Sequence, residues 1–229
     1  MDIATGSMRD EIIVDKRNLD AAMGGWPITQ LRHDGGVVFT LYRGTDHTFI
    51  HALQSREAWA VCLGLPMFGA GDEQAVTDWG LGQSADGRHV YAVNATLGLA
   101  VAVDPAELTI GRTGRFDAPI AAAGISLAKF GHADAGPVAR RVVLTPDGST
   151  IYAAGAGGIV RLRADDLTSA THVIEGAAVD GLAMTPDGAF LYALLLGQGR
   201  IVKIELASGQ IVATVPGDGF DRLVAAVPW

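Results

Sequence analysis

An Asp-Gly step recurs four times in the chain, at Asp34-Gly35, Asp86-Gly87, Asp147-Gly148 and Asp187-Gly188, and the residues around it recur with it. Five residues after each Asp stands an aromatic: Phe39, Tyr91, Tyr152 and Tyr192. Five residues before it, on alternating apolar segments, stand Leu81, Val142 and Leu182, with Thr29 in that place in the first copy. Eighteen residues after it, Asp104, Asp165 and Glu205 open polar turns; the first copy carries two extra residues around Asp46 and His47 and reaches its turn at Gln54. Each copy therefore reads strand, Asp-Gly turn, strand, glycine loop, strand, polar turn, strand. The inner segments VVFTLY, HVYAV, TIYAA and FLYAL, then FIHAL, LAVAV, IVRLR and IVKIE, alternate residue by residue, large apolar side chains with small or polar ones in most places. That period of two, bounded by Gly, Asp and Pro, marks half-buried antiparallel strands.

Measured from Asp to Asp, the copies lie 52, 61 and 40 residues apart. The compact copy matches a four-stranded β-propeller blade, a unit of about 40–45 residues. The longer ones carry insertions near Phe68–Val76 and Ile120–Pro137. A lone four-stranded sheet cannot bury both faces, whereas blades stacked around an axis hide all but their rims. Composition agrees: 30 of 229 residues are glycine and only 18% are charged, against norms of about 7% and 25%. Glycine serves tight turns and crowded inner strands, and apolar surface between blades lowers the need for charge. The expected fold is all-β, a single β-propeller domain over residues 1–229. Complete blades are expected over 25–66, 76–117, 138–176 and 178–216, with the aromatic at the fifth position after Asp filling the gap between blades.

The segments TPDGSTIYAAGAGGIVRLRADDLT and TPDGAFLYALLLGQGRIVKIELASGQIVATV resemble YVTN/WD40-like bacterial propeller repeats, with Thr-Pro-Asp-Gly at their centre. The likeness spans most of Pro27 to Pro216; Ser84-Ala85-Asp86-Gly87 is a good third copy and His33-Asp34-Gly35-Gly36 a degenerate one. No third strand ends in Trp-Asp, unlike a eukaryotic WD repeat. This family shares a fold, not an activity. The stretches IVDKRNLDAAMGGWP and LYRGTDHTFIHALQSREAWAVCLGLP are similar to propeller proteins of actinobacterial envelopes, which implies an envelope or extracellular setting.

DIATGSMRDEIIV aligns with ELASGQIVATVPG, which makes residues 1–18 the fourth strand of a preceding blade. FDRLVAAVPW aligns with VDGLAMTPDG, which makes 220–229 the first strand of a further one. The expectation is an arc from a six- or seven-bladed ring lacking its N-terminal part, the alternative being a closed ring of four. An open arc exposes blade faces and strand edges, which favours self-association. The sequence shows no basic-then-apolar leader and no run of about 18 apolar residues, so the chain itself names no compartment.

The formal charge is −8 with no Lys/Arg run, which argues against a nucleic-acid partner. Cys62 is alone and reads as an inert thiol on a strand. His47 and His51 share a strand face but lie about 13 Å apart, too far for one metal. His33, His89, His132 and His172 read as surface or turn residues. Gly155-Ala156-Gly157-Gly158 precedes a strand, so it is a hairpin and not a phosphate loop. Asn94-Ala95-Thr96 is a formal glycosylation sequon. The four Asp-Gly aspartates read as turn residues that bond their own backbone.

One constellation remains. Asp78, Asp180 and Asp221 precede the cores of first strands at nearly equivalent positions, and Arg140 and Arg141 hold that place in the third blade. First strands line a propeller's channel, so these five residues are expected to ring one mouth, either capping strand starts or receiving a cation or polar ligand. No catalytic residue and no cofactor is expected; the one ion the carboxylates would suit is a divalent cation in the channel. The expected function is a non-enzymatic scaffold that presents loops and a channel mouth to a protein or small ligand. The rival is a lactonase-like hydrolase acting at the channel, and a detached remnant of a sensor is a third reading.

Overall fold

The computed structural model describes residues 13–14, 26–33, 36–43, 47–66, 78–118 and 140–217. These form four antiparallel four-stranded sheets, as the repeats require, plus one short added strand. The first blade holds β2 (Trp26–His33), β3 (Val37–Arg43), β4 (Thr48–Gln54) and β5 (Trp59–Gly64). The second holds β6 (Trp79–Gln83), β7 (Val90–Asn94), β8 (Leu99–Asp104) and β9 (Thr109–Arg115). The third holds β10 (Val142–Leu144), β11 (Thr150–Gly155), β12 (Gly158–Arg163) and β13 (Ala170–Glu175). The fourth holds β14 (Gly181–Met184), β15 (Phe190–Leu195), β16 (Arg200–Glu205) and β17 (Gln210–Pro216). A 3-10 turn at Leu196–Gln198 joins β15 to β16. Within each sheet the strands run in sequence order, as in a blade. The added strand β1 (Ile13–Val14) pairs in parallel with Trp59 and Ala60 at the outer edge of the first blade. It is the one described piece of the segment aligned above to a preceding blade, and it lies in the first sheet. Residues 220–229, Asp34 and both insertions lie outside the described residues. No described helix is long and apolar enough to cross a membrane.

The Asp-Gly turns show why the copies look alike. Asp147 Oδ1 accepts from the Thr145 hydroxyl at 2.6 Å and the Ser149 N–H at 3.0 Å. The Thr145 hydroxyl in turn accepts the Thr150 N–H at 3.1 Å. Ser84, Asp86 and His89 repeat this arrangement in the second blade, and Thr185, Asp187 and Phe190 in the fourth. The following glycine takes φ of 68–70° in all three blades, where a Cβ would be strained. Hydroxyl donation from Ser84, Thr145 and Thr185 pulls the three carboxyls below the usual range. These aspartates are spent on their turns.

Three apolar cores join the four blades in series. Phe39, Leu41 and Ile50 of the first blade pack with Trp79, Leu81 and Val90 of the second. Tyr91 and Val93 pack with Val142 and Ile151, and Tyr152 and Ile159 with Leu182 and Leu191. The aromatic after the Asp-Gly step thus faces the next blade in the first three copies; Tyr192, in the last, is half-buried. Each fully buried Leu, Ile or Phe contributes about 1.5–3 kcal/mol, so these contacts dominate cohesion between sheets. The first strands are innermost: β6 lies against β2 and β10, and β10 against β14. Gly82 permits this approach, since a Cβ there would stand 2.7 Å from Val142 Cγ1 and 2.9 Å from Leu144 Cδ1.

Candidate functional site

In each blade the start of the first strand, the hairpin between second and third strands and the end of the fourth strand share one end of the sheet. At that end the chain brings together Asp78, Arg141 and Asp180, one from each of three consecutive blades. All three are buried, at 1%, 7% and 2% exposure, and they are the only buried charged residues among those described. Asp78 is covered by its own blade's hairpin at Thr96 and by the neighbouring blade's at Ala156, and Asp180 by the turn after β15 in its own blade. Leu81, Val142 and Leu182 then fix the three strand starts side by side.

Asp78 is fully engaged. Its Oδ1 forms an ion pair with the Arg141 guanidinium. Its Oδ2 accepts from the Thr96 hydroxyl, in the β7–β8 hairpin, and from the Ala156 N–H at 3.2 Å. The Ala156 N–H also lies 2.9 Å from Thr96 Oγ1. Ala156 belongs to the third blade's glycine hairpin, which is a β11–β12 turn as its sequence suggests. A Cβ on Gly155 would come within 3.0 Å of Asp78 Oδ2 and 2.8 Å of Thr96 Oγ1. Glycine at 155 is what lets one blade's hairpin close over its neighbour's carboxylate.

Asp180 is half engaged. Its Oδ2 accepts the Leu196 N–H at 2.9 Å, at the turn after β15. Its Oδ1 is buried and has no hydrogen-bond partner among the described residues. Burial pushes the Asp180 carboxyl above the ordinary range, opposed by the Leu196 N–H and by the charge of Arg141. The same burial pulls Arg141 down to about 10, opposed by Asp180, so the guanidinium stays charged at neutral pH. The order across the blades is carboxyl, guanidinium, carboxyl. The Arg141 guanidinium pairs with Asp78 and acts on Asp180 through its charge. No group of three or more metal-ligating side chains occurs among the described residues.

Of the five residues expected to ring the mouth, the structure thus brings three together. Arg140 keeps its side chain exposed and contributes its carbonyl, which accepts the Leu182 N–H at 2.6 Å and ties β14 to the third blade. Asp221 lies outside the described residues. Thr96 and Ala156 hold the site and were not singled out by sequence reasoning. Thr96 entered only as the end of a sequon, whose Asn94 is fully buried with its side-chain carbonyl accepting the Leu97 N–H at 2.8 Å. Cys62 is half-buried, and burial raises its thiol pKa.

At the opposite end, two open clefts lie between blades. One of about 470 Å³ is lined by His89, Tyr91, Arg112, Asp147 and Arg163 among others. Its charges are already committed: Arg112 donates to the Asp165 and Ala164 carbonyls, and Arg163 pairs with Asp165.

No family model matches the sequence, and no curated protein does. Solved structures share the fold. A hydrazine synthase of Kuenenia stuttgartiensis superposes with a TM-score of 0.58 at 15% identity, over 86% of this chain and 52% of that one. The β-propeller domain of Myceliophteria thermophila Cps50 (Swd1) gives 0.57 at 12% identity, over 85% and 56%. The dihydro-heme d1 dehydrogenase NirN, solved in complex with DHE, gives 0.52 at 20% identity, over 85% and 37%. The chain therefore spans between 37% and 56% of the length of these structures. They show that its four sheets are propeller blades.

Proposed function

We propose that this propeller is a non-enzymatic binding module of the YVTN-like repeat type, working in an envelope or extracellular setting. It receives a polar small ligand or a protein segment at the end where Asp78, Arg141 and Asp180 converge. The observation that carries the reading is Asp180 Oδ1, a buried acceptor without a hydrogen-bond partner among the described residues and within the field of a buried guanidinium. Such an atom costs about 1–3 kcal/mol in the empty state, and a ligand N–H or O–H that reaches it recovers that cost. The donor of choice is cationic, because two carboxyl groups stand beside a single guanidinium in this cluster. A net charge of −8 argues in the same direction and against nucleic acid.

The test is amide NMR of the full chain titrated with small alkylamines and guanidines and, separately, with Ca²⁺. The expected result is movement of the Leu196 and Asp180 amide signals by the organic cations, lost in Asp180→Asn, with no Ca²⁺-dependent melting shift. Silence at both amides overturns the reading. So does turnover of a lactone or ester panel that disappears in Asp180→Asn, which establishes the hydrolase instead.

A further inference from the structure

One of the two clefts shows what a guanidinium does between blades. Arg112 of β9 reaches across to the third blade, where it donates to the carbonyls of Asp165 and, at 3.1 Å, Ala164. Arg112 lies opposite Ala102, and Ala102 opposite Tyr91. In the first blade Phe39 lies opposite Ala52, and Ala52 opposite Val61. Val61 thus holds the place of Arg112, and it is buried in the core. β5, which reads WAVCLG, sends no arginine across to the second blade.

The receiving turn is present nonetheless. Strand pairing sets Val90 against Val103 and Ile151 against Leu162, so Asp104, Pro105 and Ala106 take the places of Arg163, Ala164 and Asp165. Each set lines its own cleft, and the one between the first and second blades measures about 520 Å³. Pro105 has no N–H, and the Ala106 N–H is spent on Asp104 Oδ1 at 2.8 Å. What the backbone of these two residues can offer a ligand is therefore two carbonyls. Asp104 adds a carboxylate where the other cleft carries Arg163. His33 adds an Nδ1 that is buried with no hydrogen-bond partner among the described residues. Its ring stands edge-on to Phe39 and faces Gly87, where a Cβ would come within 3.2 Å of Cε1. Arg88, also in the lining, is 81% exposed and pairs with Asp86 at 3.6 Å.

We infer that the cleft between the first and second blades binds a guanidinium group, of a small guanidine or of a partner's arginine side chain, held as the other cleft holds Arg112. A planar fork of N–H donors reaches two successive carbonyls at once, and its remaining donors meet the Asp104 carboxylate and His33. A single ammonium is a point charge and does not span that set. An anion would face the same carbonyls and Asp104. The site stands at the end of the blades opposite Asp180 and does not depend on it.

Amide NMR of the full chain tests the inference, with methylguanidine, the tripeptide Gly-Arg-Gly and, as the ammonium control, methylamine. The expected result is movement of the Gly87, Ala106 and Glu107 signals by both guanidines, saturating on the order of 1 mM, and none with methylamine. Tighter binding of the tripeptide assigns the group to a partner's arginine; equal binding assigns it to a small guanidine. Asp104→Asn keeps an acceptor for the Ala106 and Glu107 N–H groups and should weaken binding about tenfold, the loss of one charge-assisted bond. His33→Phe, which keeps a ring against Phe39, should weaken it too, whereas Asp180→Asn should leave these shifts unchanged. Silence of the three signals overturns the inference, as do equal shifts with methylamine. Binding that survives both Asp104→Asn and His33→Phe undiminished also overturns it.

Discussion

Arg141→Met removes the guanidinium from between two buried carboxylates while keeping much of the side-chain stem. Asp78 keeps the Thr96 and Ala156 donors on Oδ2, but Oδ1 loses its only ion pair. Asp180, already missing a partner on Oδ1, loses the one charge that offsets its burial. Breaking a buried pair from one side costs about 3–5 kcal/mol, because it strands a charge. For a chain of this size that lowers Tm by about 6–20 °C. The cost belongs to the stranded carboxylate and not to the lost attraction. Arg141→Met combined with Asp78→Asn should therefore recover the part of the cost that belongs to Asp78, leaving that of Asp180, which still lacks the guanidinium.

The assay is urea unfolding at neutral pH of the parent, the two single variants and the double variant. A coupling energy of about 2–3 kcal/mol between positions 78 and 141 is expected. A cost below about 1 kcal/mol for Arg141→Met, the scale of an exposed ion pair, refutes the reasoning. So does simple additivity of the two single effects.

Asp180 predicts a pH dependence. Burial raises its folded pKa above the unfolded value, so its stabilising contribution is present below the unfolded carboxylate range near pH 3.9. It is lost as pH rises through the folded value, and Asp180→Asn should flatten the urea midpoint across that window; an unchanged slope counts against the burial argument. His172 works in the same sense at higher pH: its ring lies between the Asp117 carbonyl, at 2.9 Å, and Glu175, and both bonds hold its proton. His172→Gln should lower Tm below about pH 6.5 and leave it unchanged in alkali; a loss equal at both ends shows that the imidazolium is not the linking species. Gly82→Ala should cost about 1–3 kcal/mol by overpacking β6 against β10. Gly64→Ala, where a Cβ meets nothing within 4 Å, should stay within about 0.5 kcal/mol; equal costs would refute the close-approach account.

The blades were legible because their determinants are local. An Asp-Gly turn needs only its own Thr or Ser and its own backbone, so Thr145-Pro146-Asp147-Gly148 announces itself in sequence. Which charges meet depends on strand parity and on a neighbouring blade. By register Arg140 aligns with Asp180, yet alternation turns Arg140 to solvent and Arg141 inward, and two adjacent arginines carry no signal of that parity. Thr96 and Ala156 are separated by 60 residues and converge only once two blades are stacked. The topology did contain a clue: every hairpin between second and third strands falls at the same end as the first-strand starts. Asking which hairpin residues are polar would have found Thr96.

The order of charges carries a further consequence. A perfect repeat would place one residue type at the start of every inner strand, and three buried charges of one sign would repel. This chain has Asp, Arg and Asp at successive starts, so the third copy has diverged from its neighbours where divergence is electrostatically constrained. The fold does not demand that divergence, because apolar residues of similar volume often replace buried ion clusters at no loss of stability. Nor does the cluster satisfy itself: Asp78 is held by three partners, while Asp180 Oδ1 has none among the described residues. A purely structural clamp has no need of the second carboxylate, since Asp78 and Arg141 already link their blades and the Arg140 carbonyl ties the fourth blade to the third. What Asp180 adds is an acceptor in excess, and a buried acceptor in excess is the element of this cluster that a ligand can use. Asp180→Asn separates the two roles: it should leave the joint between the second and third blades intact while removing the response to cationic donors.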